Sequence, residues 1–221
     1  MEFILTESEF NEDNTAWNGN RFLMGNGYFG IRGTLEEYTK KQMCAVNMAG
    51  IYDKMGNSWR ESVNAPNPLY TYIKVNGKIY ALPDEKPKFH QQELDFRYGI
   101  HSRVTHWQTE HGNITVVCER FASIARQHNI AMKYTFSVDF DCEAEIITGI
   151  DGDVWDINGP HFVKMKIGSK DGADYVTGMT GEKNISVTVK EYIRTDFQAE
   201  QTNQNTDKSI FRHIKFSAKA E

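Results

Sequence analysis

Residues 132–140 constrain the fold more than any other stretch. Met132, Tyr134, Phe136, Val138 and Phe140 are apolar, and Lys133, Thr135, Ser137 and Asp139 between them are polar. Successive side chains of an extended strand point to opposite faces, so a strand gathers all five apolar residues on one side. A helix would scatter them around its axis. The stretch therefore reads as a strand with one face on a core and the other in water. Weaker copies recur at residues 114–117 and 185–189.

Turn chemistry points the same way. Asn76-Gly77 separates two β-rich runs in residues 72–80, and Asn-Gly is the strongest short-range hairpin signal because both residues tolerate positive φ. His111-Gly112-Asn113 links residues 103–109 to 114–121 in the same manner, and Asp171-Gly172 and Thr180-Gly181 mark further turns. No window of about 12 residues shows a capped helical period. The expected fold is all-β, with few or no helices: a large antiparallel β-sandwich forming a single domain over residues 1–221. Two segments break the rhythm. Residues 55–69, with Pro66 and Pro68, are expected to be irregular, because proline removes a ladder donor. Residues 196–209 are polar and read as an exposed loop or hairpin tip.

Charge excludes some partners. The 30 acidic and 25 basic residues are mixed along the chain with no basic block, so nucleic acid is not expected. No apolar run reaches membrane-spanning length, and residues 1–7 lack the basic and apolar regions of a signal peptide. The three cysteines, Cys44, Cys118 and Cys142, form no C-x-x-C pair, which suits packed thiols in a reducing, cytoplasmic setting.

Several motifs fail on context. Gly25-Asn26-Gly27-Tyr28-Phe29-Gly30 matches G-x-G-x-x-G, but the aromatic and glycine residues that follow start no helix to meet a pyrophosphate. It reads instead as a hairpin, with residues 21–24 turning at 25–27 into 28–34. Asp151-Gly152-Asp153-Val154-Trp155-Asp156 begins like a calcium loop, yet Trp155 and Asp156 occupy the positions that need an oxygen ligand and a glycine. His101, His106 and His111 are five apart, which on a strand sends neighbours in the series to opposite faces. No metal site or cofactor is expected. Glu36-Glu37 is a tempting acid pair, but adjacent strand residues face opposite ways and could not flank one glycosidic bond. No catalytic residue is nominated.

Taken in order, Trp17 with residues 20–37, then Ala49-Gly50-Ile51-Tyr52-Asp53, Val63-Asn64-Ala65-Pro66-Asn67, Leu94-Asp95-Phe96-Arg97-Tyr98-Gly99, Arg103 and Trp107, Glu119-Arg120-Phe121-Ala122-Ser123 and Gly149-Ile150-Asp151-Gly152 resemble the opening of glycoside hydrolase family 65. That family includes maltose, trehalose, kojibiose and nigerose phosphorylases and some hydrolases. Residues 151–162 look closer to the kojibiose and nigerose types. The resemblance implies a galactose mutarotase-like supersandwich that packs in cis on a catalytic (α/α)6 barrel absent from this chain. It also implies a homodimeric parent enzyme that cleaves an α-linked glucose disaccharide with phosphate, inverting to β-glucose 1-phosphate. Phosphate would be a co-substrate of that parent, not a ligand of this domain. By the same analogy Arg32, Asp151, Asp153, Trp155, Asn158 and His161 are the candidates for a barrel-facing or sugar-proximal surface. The alternative is a free-standing carbohydrate-binding module, with Trp155 stacking on a sugar ligand.

Overall fold

Strand patterning extends over most of the chain. The computed structural model describes residues 3–220; among these it has seventeen strands, one seven-residue α-helix at Thr15–Arg21 and two short 3-10 turns. The helix is too short and too polar to show a period, and it ends at Arg21, where the expected hairpin arm of residues 21–24 was to begin. The hairpin itself is present but shorter, pairing Met24–Gly25 with Phe29–Ile31. Asn26 makes the turn: its Oδ1 accepts from the backbone N–H groups of Tyr28 (3.0 Å) and Phe29 (2.8 Å).

The chain divides into two compact units interleaved along the sequence. The described residues of the first fall in Met1–Gly33, Ile73–Glu145 and Phe216–Glu221, and those of the second in Thr34–Tyr72 and Ile146–Lys215. The chain passes between them four times, once at Gly33–Thr34 and three times inside strands, Asn67–Val75, Cys142–Asp151 and Ile210–Ala218.

The first unit is built on a five-stranded antiparallel sheet in the order Ile4–Glu7, Phe89–Asp95, Ile100–Gln108, Asn113–Ala122, Ile130–Val138. Register places Ile114 opposite Trp107 and Val138, and Cys118 opposite Arg103 and Tyr134. Trp107, Ile114, Val116 and Cys118 are buried on one face. The Trp107 indole meets the Tyr80 ring edge-on, with centroids 6.0 Å apart, and donates to the Glu85 carbonyl at 2.9 Å. Both ends of the indole are thus satisfied. Residues 132–140 largely form the edge strand, and the alternation holds, although Met132, Tyr134 and Phe136 are only half-buried. The Asn76-Gly77 turn has φ of 49° and 81°, as the two-residue hairpin requires. His101 and His106 face opposite sides of their strand, one buried and one half-buried.

The second unit holds a three-stranded sheet, Phe162–Lys170, Ala173–Thr180 and Ser186–Glu191, and a hairpin of Val46–Asp53 with Glu61–Asn64. Ile150, Val176 and Ile210 form a fully buried cluster, with Met165, Ile167 and Val189 packed against it. Three expectations are corrected here. Residues 55–69 contain two strands, Glu61–Asn64 and the start of Asn67–Val75; Pro66 falls between them and Pro68 enters only as the second residue of its strand, so neither interrupts a strand centre. Residues 196–209 contain the strand Glu200–Asn205, paired with residues 210–215 and exposed at every position. Glu36 and Glu37 lie in a turn, not a strand, and both are buried. All three cysteines are buried and none forms a disulfide among the described residues.

Gly149 shows how tightly this unit is packed. A Cβ there would lie 2.2 Å from the Ile210 carbonyl oxygen and 2.8 Å from the Phe211 Cα. Backbone cannot yield as a flexible side chain can, so Gly149→Ala should cost about 1–3 kcal/mol, read as a lower urea midpoint. An unchanged midpoint would mean that these strands slide apart freely.

Candidate functional site: a loop latched by a buried histidine

Between Cys142–Asp151 and Phe162–Lys170 the second unit runs without regular structure through residues 152–161. Its anchor at the far end is His161, which is wholly buried. His161 Nε2 lies 2.7 Å from Glu61 Oε1, and Nδ1 lies 3.2 Å from Asp53 Oδ2. Those acids sit at the facing ends of the Val46–Asp53 and Glu61–Asn64 strands, where register pairs them directly. Asp53 also accepts from the backbone N–H groups of Glu182 (2.9 Å) and Gly181 (3.3 Å). Glu61 Oε1 accepts in addition from the Asn158 N–H at 2.8 Å. Burial alone would lower the His161 pKa; the hydrogen bond to Glu61, the charge of Asp156 and the hydrogen bond to Asp53 outweigh it and raise the pKa above the ordinary histidine value. With a carboxylate oxygen facing each ring nitrogen, this geometry favours the imidazolium, the form in which both nitrogens donate.

The middle of the loop lies along the Glu61–Asn64 strand. Asn64 donates its backbone N–H to Asp156 Oδ1 at 3.1 Å and its side-chain Nδ2 to the Trp155 carbonyl. Burial pushes the Asp156 carboxyl up to about 6. At the near end Asp151 is buried and accepts from Ser209 Oγ (2.8 Å) and the Asp153 N–H (3.0 Å). Burial raises its pKa. Asp153 is held by Lys40 (2.6 Å) and Lys208 (2.8 Å); burial raises its pKa, but those two ammonium groups prevail and the net shift is downward.

Three polar atoms on the loop are buried without a hydrogen-bond partner among the described residues: Trp155 Nε1, Asp156 Oδ2 and Asn158 Nδ2. Two are donors and one is an acceptor. Buried polar atoms are nearly always paired, so three on four consecutive residues single out this stretch of the loop. Exposed apolar side chains occur in and next to the loop, Ile157 at 65% and Val163 at 58%, and beside its partners in sequence, Tyr52 at 50% next to Asp53 and Trp59 at 59% near Glu61.

Of the six residues expected at this surface, Asp151, Asp153, Trp155, Asn158 and His161 share the one loop. His161 and Asp151 anchor it, Asp153 is tied to lysines, and Trp155 and Asn158 carry the unpartnered atoms. Arg32 belongs to the first unit, where its Nη2 donates to the Ala16 carbonyl at 2.7 Å. Sequence reasoning gave Asp53, Glu61 and Asn64 no role. Asp53 and Asn64 stood inside quoted motif segments, but nothing in those segments tells that one histidine far along the chain would bridge Asp53 to Glu61. Both nitrogens of His161 are committed, and among the described residues no group of His, Cys, Asp and Glu is arranged to hold a metal ion. Nor is any described helix long and apolar enough to cross a membrane.

Comparison with known proteins agrees with this architecture. The pattern of the glycosyl hydrolase family 65 N-terminal domain matches residues 5–221. A nigerose phosphorylase from Lachnoclostridium phytofermentans is 51% identical over 166 residues, covering 75% of this chain and 22% of that protein. A 1,2-alpha-glucosylglycerol phosphorylase from Bacillus selenitireducens is 37% identical over 193 residues, covering 86% and 25%. A kojibiose phosphorylase from Halothermothrix orenii is 31% identical over 207 residues, covering 91% and 26%. The chain thus spans about a quarter of the length of these relatives. A solved structure of a human-microbiome protein, provisionally assigned as a kojibiose phosphorylase, superimposes with a TM-score of 0.86 at 19% identity, covering 99% of this chain and 30% of that one; it supports the fold. On the match over residues 5–221, the chain belongs to glycosyl hydrolase family 65, as an N-terminal domain of that family.

Proposed function

We propose that the chain is the accessory N-terminal domain of an inverting phosphorylase that cleaves an α-linked glucose disaccharide with inorganic phosphate. The observation that carries this reading is the 51% identity to a nigerose phosphorylase, of which the chain covers only 22%. On this reading the chemistry belongs to a catalytic barrel in cis, the domain is not catalytic alone, and the assembled enzyme is a homodimer. The loop of residues 151–162 is the face that meets the catalytic part near its substrate mouth. Its three unpartnered polar atoms and its exposed apolar neighbours favour a docking surface. A free-standing sugar module would present an open aromatic platform, whereas the Trp155 indole is half-buried with its N–H enclosed.

The test is to incubate the whole protein with phosphate and, in turn, nigerose, kojibiose, trehalose and maltose. Nigerose should yield β-glucose 1-phosphate fastest, and residues 1–221 alone should yield none. Release of glucose without any dependence on phosphate would replace phosphorolysis by hydrolysis. Turnover by residues 1–221 would overturn the accessory role. Backbone amides of residues 155–158 should also exchange with deuterium more slowly in the whole protein than in residues 1–221. Equal rates would remove the docking surface.

A further inference from the structure

We infer that a cleft at the hairpin tips of the first unit is a binding site for a neutral saccharide. The cleft, of about 330 Å³, opens between the turn at Asn76, the turn at His111 and the bend at Phe140, with Tyr80 and Glu85 also among its lining residues. That volume lies at the lower end of the range for small-ligand sites and suits one or two sugar rings.

Its three walls are fixed before any ligand arrives. Asn76 exchanges hydrogen bonds with Glu143 at 2.8 and 3.0 Å. Asn113 donates to Asp139 through its backbone N–H and its side chain, both at 2.6 Å. Thr109 Oγ1 accepts from the N–H groups of His111 (3.1 Å) and Gly112 (3.2 Å). Rigid turns of this kind lose little entropy on binding.

The lining chooses the ligand class. The His111 and Phe140 rings, both in the lining, stand 6.0 Å apart and tilted by 47°, and the His111 side chain is 63% exposed. Such rings give the C–H faces of a pyranose an apolar contact. Lys78 Nζ pairs with Glu85 at 2.8 Å and sits 5.0 Å from the Tyr80 ring centroid, so a hydrogen-bond donor and an acceptor stand side by side in the lining. With Glu110 as a second carboxylate and Lys78 as the one ammonium among the lining residues, the cleft is acidic on balance. Lys78, already paired with Glu85, is the one ammonium there, so a phosphate finds no net positive charge to hold it, and a neutral polyol is admitted.

Hydrogen–deuterium exchange of the whole protein tests this, with glucose or maltose as probe and inorganic phosphate as control. At a sugar concentration twice its Kd, exchange at residues 75–80 and 108–113 should slow by about threefold. The His111→Ala and Glu85→Gln variants should each lose that protection while keeping the exchange pattern of the rest of the chain. Unchanged exchange at both tips up to the solubility of the sugar overturns the site, as does protection that survives both variants. Equal protection by phosphate overturns the neutral class. The result is separable from the phosphorylase reading: protection at the tips without phosphorolysis leaves the cleft standing, and phosphorolysis without protection removes it.

Discussion

Glu61→Ala should lower the unfolding free energy by about 3–5 kcal/mol, the range for removing one partner of a buried ion pair. The substitution strips His161 Nε2 of its 2.7 Å acceptor and the Asn158 N–H of its own. The imidazolium would then keep only its hydrogen bond to Asp53, in a site with no exposure to water. Glu182→Ala is the comparison: its partner Arg60 is 45% exposed in the side chain, and solvent-screened pairs of that kind contribute little. The loss should depend on pH. A raised histidine pKa stabilises the fold fully below the ordinary histidine range, and that contribution fades as pH rises through the raised value. Asp156 acts in the same sense, its contribution fading between its ordinary range near 3.8 and about 6. Urea titrations should therefore show a larger penalty for Glu61→Ala at pH 5.5 than at pH 8.5. A penalty below about 1 kcal/mol at both pH values would mean that the latch contributes no more than a surface pair.

Glu191→Gln should do the opposite and stabilise the protein above neutral pH. Thr148 Oγ1 donates to Glu191 Oε1 at 3.2 Å and lies 2.8 Å from Thr71 Oγ1, so the Thr71 hydroxyl is left to donate to Thr148. The other carboxyl oxygen is buried without a partner among the described residues. Burial, more than the opposing Thr148 hydrogen bond, pushes this carboxyl up from 4.5 to about 7. The unfolded chain releases its proton at the lower value, so native stability falls as pH rises from 4.5 to 7, by on the order of 3 kcal/mol. Glutamine keeps the neutral shape at every pH. The variant should match the wild type at pH 4.5, exceed it by about 1–3 kcal/mol at pH 8, and show a flatter stability profile between. Parallel profiles for the two proteins would mean that Glu191 is ionised in the fold at neutral pH.

Local patterning was the readable part of the sequence. Residues 132–138, the Asn76-Gly77 turn and the Asp171-Gly172 turn each state their conformation within a few residues, because strand period and positive φ are local properties. Prolines 66 and 68 misled because a proline excludes a ladder bond only where the donor is needed, and neither sits at a strand centre. Glu200–Asn205 looked like a loop because an edge strand with every residue exposed has no apolar face to betray it. For the candidate site, residues 151–162 were visible as an acidic loop bearing an aromatic, but its latch was not. Asp53 and Glu61 lie 108 and 100 positions before His161, and no spacing rule joins residues that meet only through tertiary packing. The one resemblance strong enough to span that distance pointed to the segment, not to the ion pair beneath it.

The interleaving of the two units governs how the polypeptide can acquire its structure during synthesis. A ribosome that has released the first 145 residues has supplied all of the first unit except its closing strand segment, yet only the opening stretch of the second. The first unit receives that last piece, residues from Phe216 onward, after everything in the second has emerged. Neither is complete on the nascent chain until the end of the sequence is approached, and pairings this distant in sequence form slowly. Until the last strand arrives, unpaired strand edges stay open to other chains, so production of this domain should reward slow translation and low temperature more than a stronger promoter.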